Sequence, residues 1–261
     1  MLASLYVSKT GLSAQDTQLT TISNNLANTS TVGYKRDRAV FEDLLYQIVR
    51  QPGAQSTVDT QLPSGMQIGS GVRIVGTQKE FVSGSLQVTE QELDVAINGR
   101  GFLQVQQPDG TNAYTRNGQL HLNADGTVVN ASGLIIEPAI TVPSGARNIT
   151  IGTDGTVSVR LQGQAVPQQI GSLDLVDFIN PAGLQAIGGN LFLETASSGD
   201  PQSGTPGQNG FGELMQGTLE NSNVDIVEEM VNLITTQRAY ELNSRVVTTA
   251  DQMLQYISQN L

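Results

Sequence analysis

From Asn223 to the C-terminus, every seventh position carries an apolar side chain. Ile226, Leu233, Tyr240, Val247, Leu254 and Leu261 form one column. The opening segment has a column of its own in Leu5, Leu12, Leu19 and Leu26, with Ile22 beside it. This spacing predicts a helix at each end of the chain, each presenting a narrow apolar seam. A narrow seam is satisfied by another helix rather than by a broad core. Neighbouring positions such as Gln237, Ser244, Asp251 and Ser258 are polar, so two such helices packed only on each other would be weakly held. The pattern therefore predicts termini that meet each other and, beyond that, other copies of the chain.

The first helix is expected over 2–29. Asn28-Thr29-Ser30-Thr31-Val32-Gly33 ends it, because Thr and Val are poor helix formers and Gly33 can take a positive φ. Asn223 is expected to cap the last helix, with Asp225, Glu228 and Glu229 in its first turns, where the helix dipole favours negative charge. Phe41, Leu44, Leu45 and Ile48 are spaced for a short amphipathic helix, and Gln51–Gly71 reads as a polar extended excursion or loop. From Val72 to about Phe178 the period changes to two, with short alternating runs broken by turn pairs. The triplet Asp-Gly-Thr recurs at 109, 125 and 154 and predicts tight hairpin turns. Ser198 to Gly212 reads as a return linker. Aromatic residues make up 5% of the chain and Trp is absent, which argues against a large aromatic core.

Formal net charge is −11. There is no basic surplus to displace counterions from phosphate, so neither nucleic acid nor an anionic lipid surface is an expected partner. The charge is uneven. Residues 46–222 hold seven basic and fifteen acidic side chains, whereas residues 1–45 hold four of each. Such a body resists nonspecific association. Without cysteine the chain makes no disulfide and no thiolate metal site. No run has the apolar length of a membrane span. Met1–Lys9 lacks the basic and continuous apolar regions of a cleavable signal, so export, if it occurs, is expected by another route.

No set of residues predicts catalysis, a cofactor or a metal. His121 alternates with Leu120 and Leu122 and has no second ligand in view. The Asp-Gly-Thr triplets lack the spacing of a calcium loop. Gly207-Gln208-Asn209-Gly210-Phe211-Gly212 follows no predicted strand, as a phosphate loop must. Acidic residues are numerous enough for a glycan-cleaving pair, yet no motif singles out two of them. The mixed signs of Lys35-Arg36-Asp37-Arg38 suit ion pairing within or between chains. Two other classes fit the pattern less well: a secreted β-rich adhesin and an enzyme acting on cell-wall glycan.

Three blocks carry a resemblance. Ser23-Asn24-Asn25-Leu26-Ala27-Asn28-Thr29-Ser30-Thr31-Val32-Gly33-Tyr34-Lys35 resembles the N-terminal signature of the bacterial flagellar rod and hook proteins. Gln237-Arg238-Ala239-Tyr240-Glu241-Leu242-Asn243 resembles their C-terminal counterpart, and Leu93-Asp94-Val95-Ala96-Ile97-Asn98-Gly99-Arg100-Gly101-Phe102 a block shared across the family. Arg38–Gln47 and Arg50–Ser56 are similar to the members that build the distal part of the rod.

The resemblance implies an α+β architecture. Paired N- and C-terminal helices (1–32 and 223–261) would form a coiled-coil inner domain. An extended connecting segment (33–72 and 210–222) would lead to a mainly antiparallel β outer domain (73–209). It implies a structural subunit that self-assembles as a homo-oligomeric helical filament, with Leu5, Leu12, Leu19, Ile22, Asn25, Leu26, Asn28, Gly33 and the C-terminal column at the assembly interface. It also implies a rod-type insert near 46–63, with Tyr46, Arg50, Gln51, Pro52, Gly53 and Pro63, that locks neighbouring subunits. The implied partners are proximal rod subunits below, hook subunits above, the surrounding basal-body rings and the flagellar export apparatus. The implied location is the basal body in the periplasm, reached through the type III channel.

Overall fold

The computed structural model describes residues 2–53, 55–57, 60–61, 63–162 and 166–259. Helix α1 spans Leu2–Ala27 and helix α2 spans Ile226–Gln259. Short strands, antiparallel in their pairings, fill most of the interval, so the chain is α+β. It divides into two compact units. One comprises Met1–Ala27, Asp37–Gln78 and Asp225–Leu261; the other comprises Asn28–Arg36 and Lys79–Val224.

In the first unit α1 and α2 run antiparallel, since Asn25 meets Glu229 at one level and Gly11 approaches Asn243 at another. The helix cap is not the expected one. Asp225 accepts from the backbone N–H groups of Val227 and Glu228 at 2.8 and 3.2 Å. Asn223 lies two residues too early and spends its side chain within the other unit, accepting from the Arg36 N–H and donating to the Glu80 carbonyl.

The short helix expected over Phe41–Ile48 is not formed. Asp37–Asp43 is a strand paired with Val72–Lys79, and Tyr46–Arg50 is a strand paired with Met66–Gly69. The apolar spacing there fits a helix, but β-branched Val40, Ile48 and Val49 and two available partner strands favour the ladder. The expected loop after Gln51 is thus the far end of a two-stranded ribbon, prolonged by Gln55–Thr57 against Thr60–Gln61.

The second unit holds a seven-stranded antiparallel sheet. Its order is Leu120–Leu122, Val128–Asn130, Ile135–Glu137, Leu103–Gln106, Asn112–Thr115, Leu191–Leu193 and Gln185–Gly188. A three-stranded sheet, Ala146–Ile151, Thr156–Leu161 and Gln168–Ser172, contributes to the same aliphatic core around Leu103, Val105, Val159, Leu175 and Leu214. Asp109-Gly110, Asp125-Gly126 and Asp154-Gly155 all fall in turns between paired strands, with φ of 83°, 79° and 84° at the glycines. Asp109 and Asp154 each accept from the Thr two residues on.

The structure also corrects two expectations here. Phe81, Phe102, Phe178, Phe192 and Tyr114 meet edge-on in a compact aromatic cluster, so few aromatics still make an aromatic core when concentrated. Within the expected return linker, Gln202–Gly204 is a strand paired with Leu175–Asp177.

Candidate assembly interface

The seam between α1 and α2 is built from small and polar side chains. On α1 the buried positions are Ser8, Ala14, Thr21, Ile22 and Asn25; on α2 they are Glu229 and Ala250. Gly11 lets the helices approach closely, because a Cβ there would stand 3.1 Å from the Asn243 side-chain nitrogen. At the seam's closed end Asn25 is 1% exposed. Its Nδ2 donates to the Asp37 carbonyl at 2.8 Å, its Oδ1 accepts from the Asp37 N–H at 2.9 Å, and Nδ2 also reaches the Glu229 carboxylate at 3.5 Å. Farther along, Gly11, Ala14, Gln15, Gln18, Thr235, Thr236, Ala239, Phe41 and Val72 line a groove of about 480 Å³. The side-chain oxygens of Gln15 and Gln18 are buried beside it with no hydrogen-bond partner among the described residues.

The leucine column of α1 lies along the flank of this seam. Leu5, Leu12, Leu19 and Leu26 are all half-buried, and Ile22, at 2% exposure, is the most enclosed of the apolar positions singled out on α1. The α2 column does not stay on one side. Leu233 and Val247 are half-buried, whereas Ile226, Tyr240 and Leu254 are exposed, and Leu261 lies outside the described residues. A strict seven-residue repeat drifts by about 20° per heptad on a straight helix, so such a column wanders off the seam.

What the heptad reading missed is a second, exposed run of apolar residues, interrupted by Arg238 and Arg245. Val227, Val231, Ile234, Leu242, Val246 and Met253 recur at about 3.6 residues per turn on the side of α2 away from α1. Their exposures run from 46% at Val246 to 72% at Val227. A scan at the helical period rather than at seven residues would have found them.

The ribbon of Tyr46–Arg50 and Met66–Gly69 is exposed on both faces. Tyr46 and Ile48 lie on one face and Ile68 on the other. Arg50, Gln51, Pro52, Gly53 and Pro63 are exposed at or beyond its end.

Asn28 and Gly33 belong to the second unit. The Asn28 carbonyl accepts from the Thr31 N–H and its Oδ1 from the Thr31 hydroxyl, closing a turn. Gly33 has φ of 71°, its N–H donates to the Glu220 carbonyl at 2.8 Å, and a Cβ would meet the Arg116 backbone at 2.8 Å.

Beside Gly33 lies a buried charge cluster: ion pairing was expected of Lys35, but no local pattern signalled its partners. The Lys35 ammonium, wholly buried, donates to Glu220 Oε1 at 2.7 Å and to the Val82 carbonyl at 2.8 Å. Glu220 also accepts from the Gly84 N–H, and its second oxygen lies 3.7 Å from the Arg116 guanidinium, which donates to the Gly99 carbonyl. Burial holds the Lys35 pKa below the ordinary lysine value, and the Glu220 carboxylate opposes that shift.

Known proteins are similar in sequence to this chain along nearly its whole length. Residues 5–35 match the family model described as flagella basal body rod protein. Residues 96–159 match the flagellar hook protein FlgE/F/G D1 domain, and 215–260 the flagellar basal body rod FlgEFG protein C-terminal region. The chain is 55% identical to the flagellar basal-body rod protein FlgG of Buchnera aphidicola subsp. Schizaphis graminum, over 99% of this chain and 100% of that one. It is 53% identical to the protein of the same name from Buchnera aphidicola subsp. Acyrthosiphon pisum, with the same coverage. It is 46% identical to that of Caulobacter vibrioides, over 99% of both chains.

Proposed function

The chain belongs to the flagellar basal-body rod protein family, and from that premise we propose that it is a structural subunit of the distal rod, building a rigid helical tube from copies of itself. The observation that carries this reading is the two-faced α2. One face is occupied by α1, and the other offers six large apolar side chains to solvent. Burying one such side chain yields about 1.5–3 kcal/mol, so covering the stripe is a substantial driving force for association. A contact of one copy on the next that does not close on itself propagates as an open helical filament.

In this reading the terminal helices line the tube as a coiled-coil inner domain, 33–72 and 210–222 connect, and 73–209 forms the outer domain. The exposed ribbon is the rod-type insert, and its two apolar faces rest on neighbouring copies. Proximal rod subunits lie below and hook subunits above. Basal-body rings surround the shaft in the periplasm, and the flagellar export apparatus delivers the subunit without a cleaved signal. The shaft transmits motor torque to the hook. The test is to replace Ile234 and Leu242 with Asp. Basal bodies from cells making only this variant should lack the distal rod in electron micrographs; full-length rods would rule the reading out.

A further inference from the structure

Residues 79–224 hold fourteen acidic and five basic side chains. Three of the five cations are taken up within the chain. Lys79 lies over the Tyr34 ring, Arg100 pairs with Asp177 at 2.9 Å, and Arg116 is buried beside Glu220. Arg147 and Arg160 are the other two. Both are exposed, and among the described residues neither has an ion pair, although acid is in large excess around them. Glu92, which borders a groove with Arg147, accepts from the Ile149 N–H instead.

The two arginines share one sheet face. Where Ala146–Ile151 pairs with Thr156–Leu161, Ala146 lies opposite Leu161 and Asn148 opposite Arg160, so Arg147 is the extra residue of a bulge. Ile151, Val157 and Val159 are buried on the core side, which puts Thr150, Ser158 and Arg160 on the outer side. A bulge sets two successive residues against one partner residue, so Arg147 stands beside Arg160. Like charges next to each other on paired strands repel. The pair therefore costs stability on its own, and an anionic surface laid across both arginines relieves that cost.

The body also carries the complementary surface. Gln104, Gln106, Glu137, Asp174, Val176 and Ser203 line a groove of about 360 Å³. Glu137 and Asp174 are half-buried there. Glu137 accepts from the Gln104 amide, and among the described residues no cation pairs with either carboxylate. A guanidinium offers a carboxylate two parallel N–H donors. Two arginines and two carboxylates, each pair left without counter-charge on its own chain, match each other between chains.

We propose that the Arg147–Arg160 face of one copy docks on the Glu137–Asp174 groove of the next, as a contact between the outer bodies of neighbouring subunits. The two patches differ, so the contact is head-to-tail and each copy keeps one patch free for a further neighbour. Charge decides the occupant. A body with so large an acidic excess repels its like, and a local match of opposite charges sets which part of one body meets another. The contact rests on the self-assembly reading above and involves neither terminal helix.

Two experiments on the full chain test it. In the first, basal bodies are imaged from cells making only Arg147→Glu/Arg160→Glu, only Glu137→Lys/Asp174→Lys, or one chain with all four substitutions. Either reversal alone sets like charges against each other, and the number of distal rods should fall by about tenfold. The chain with all four exchanges the signs, and its rods should return. In the second, Asn148→Cys/Ser203→Cys places one thiol beside the arginines and one at the groove of a chain that has no cysteine. Oxidising basal bodies with copper phenanthroline should give a ladder of covalent multimers, and each single cysteine should give none. Full-length rods in both reversal variants, continued loss of rods in the chain with all four, or full-length rods that yield no multimers would each overturn the docking. Intact rods that lose their surrounding rings in the arginine variant would also overturn it, by assigning the face to a ring. The Ile234 and Leu242 variant, which leaves both patches untouched, judges the self-assembly reading separately.

Discussion

Gly33, Lys35, Arg116 and Glu220 show what individual residues contribute where no local pattern reveals it. The N-terminal signature led to Gly33 and Lys35, but nothing in its spacing indicates that the partner of Lys35 is Glu220, far along the chain. Burying both charges is tolerable because each is also hydrogen-bonded to backbone. Glu220→Gln would strand a buried ammonium beside Arg116 and should cost about 3–5 kcal/mol at neutral pH. The sign of its pH dependence follows from the lowered Lys35 pKa, which falls further once the carboxylate is gone. Between that lowered value and the ordinary 10.5, the folded chain binds fewer protons than the unfolded chain, so stability rises with pH. The deficit of Glu220→Gln relative to the unsubstituted chain should therefore narrow as pH rises toward 10.5. Urea midpoints at neutral and alkaline pH measure this, and an unchanged deficit would show that Lys35 is not the stranded charge. The Asp-Gly turns lie at the opposite extreme, since Asp109 and Asp154 take their partners two residues away and could be read from the sequence.

At the scale of elements, both terminal helices were legible because a recurring apolar residue over many turns is a strong signal. Which face each helix buries was not. The α1 column marks a flank and the α2 column wanders, while the seam itself runs through Gly11, Thr21, Asn25 and Glu229, residue types that an apolar scan passes over. The ribbon strands were read as helix and loop because their pairing partners lie elsewhere in the chain. Gly11 gives the seam a direct test. Alanine gains about 1 kcal/mol of helix propensity over glycine, and its Cβ meets only the movable end of Asn243. Gly11→Ala should therefore match or slightly exceed the parent in thermal stability. Gly11→Leu should force the helices apart and lower the helical signal in circular dichroism. If leucine is accepted as easily as alanine, the close approach at Gly11 has no structural weight.

For the whole molecule, the exposed ribbon and the exposed apolar residues of α2 support the proposal that the chain completes its packing on copies of itself. Composition made part of this readable, since a net charge of −11 argues against nucleic acid and the lack of cysteine leaves no disulfide or thiolate metal site. Membership of the rod family supplied the rest. Assembly as proposed requires that the outward stripe of α2 be covered in the rod. Single cysteines at Ile234, Leu242 and Val246 can be treated with maleimide in the purified monomer and in intact basal bodies. Ready labelling in the monomer and protection in the basal body are expected; equal labelling in both would contradict the proposed packing of α2.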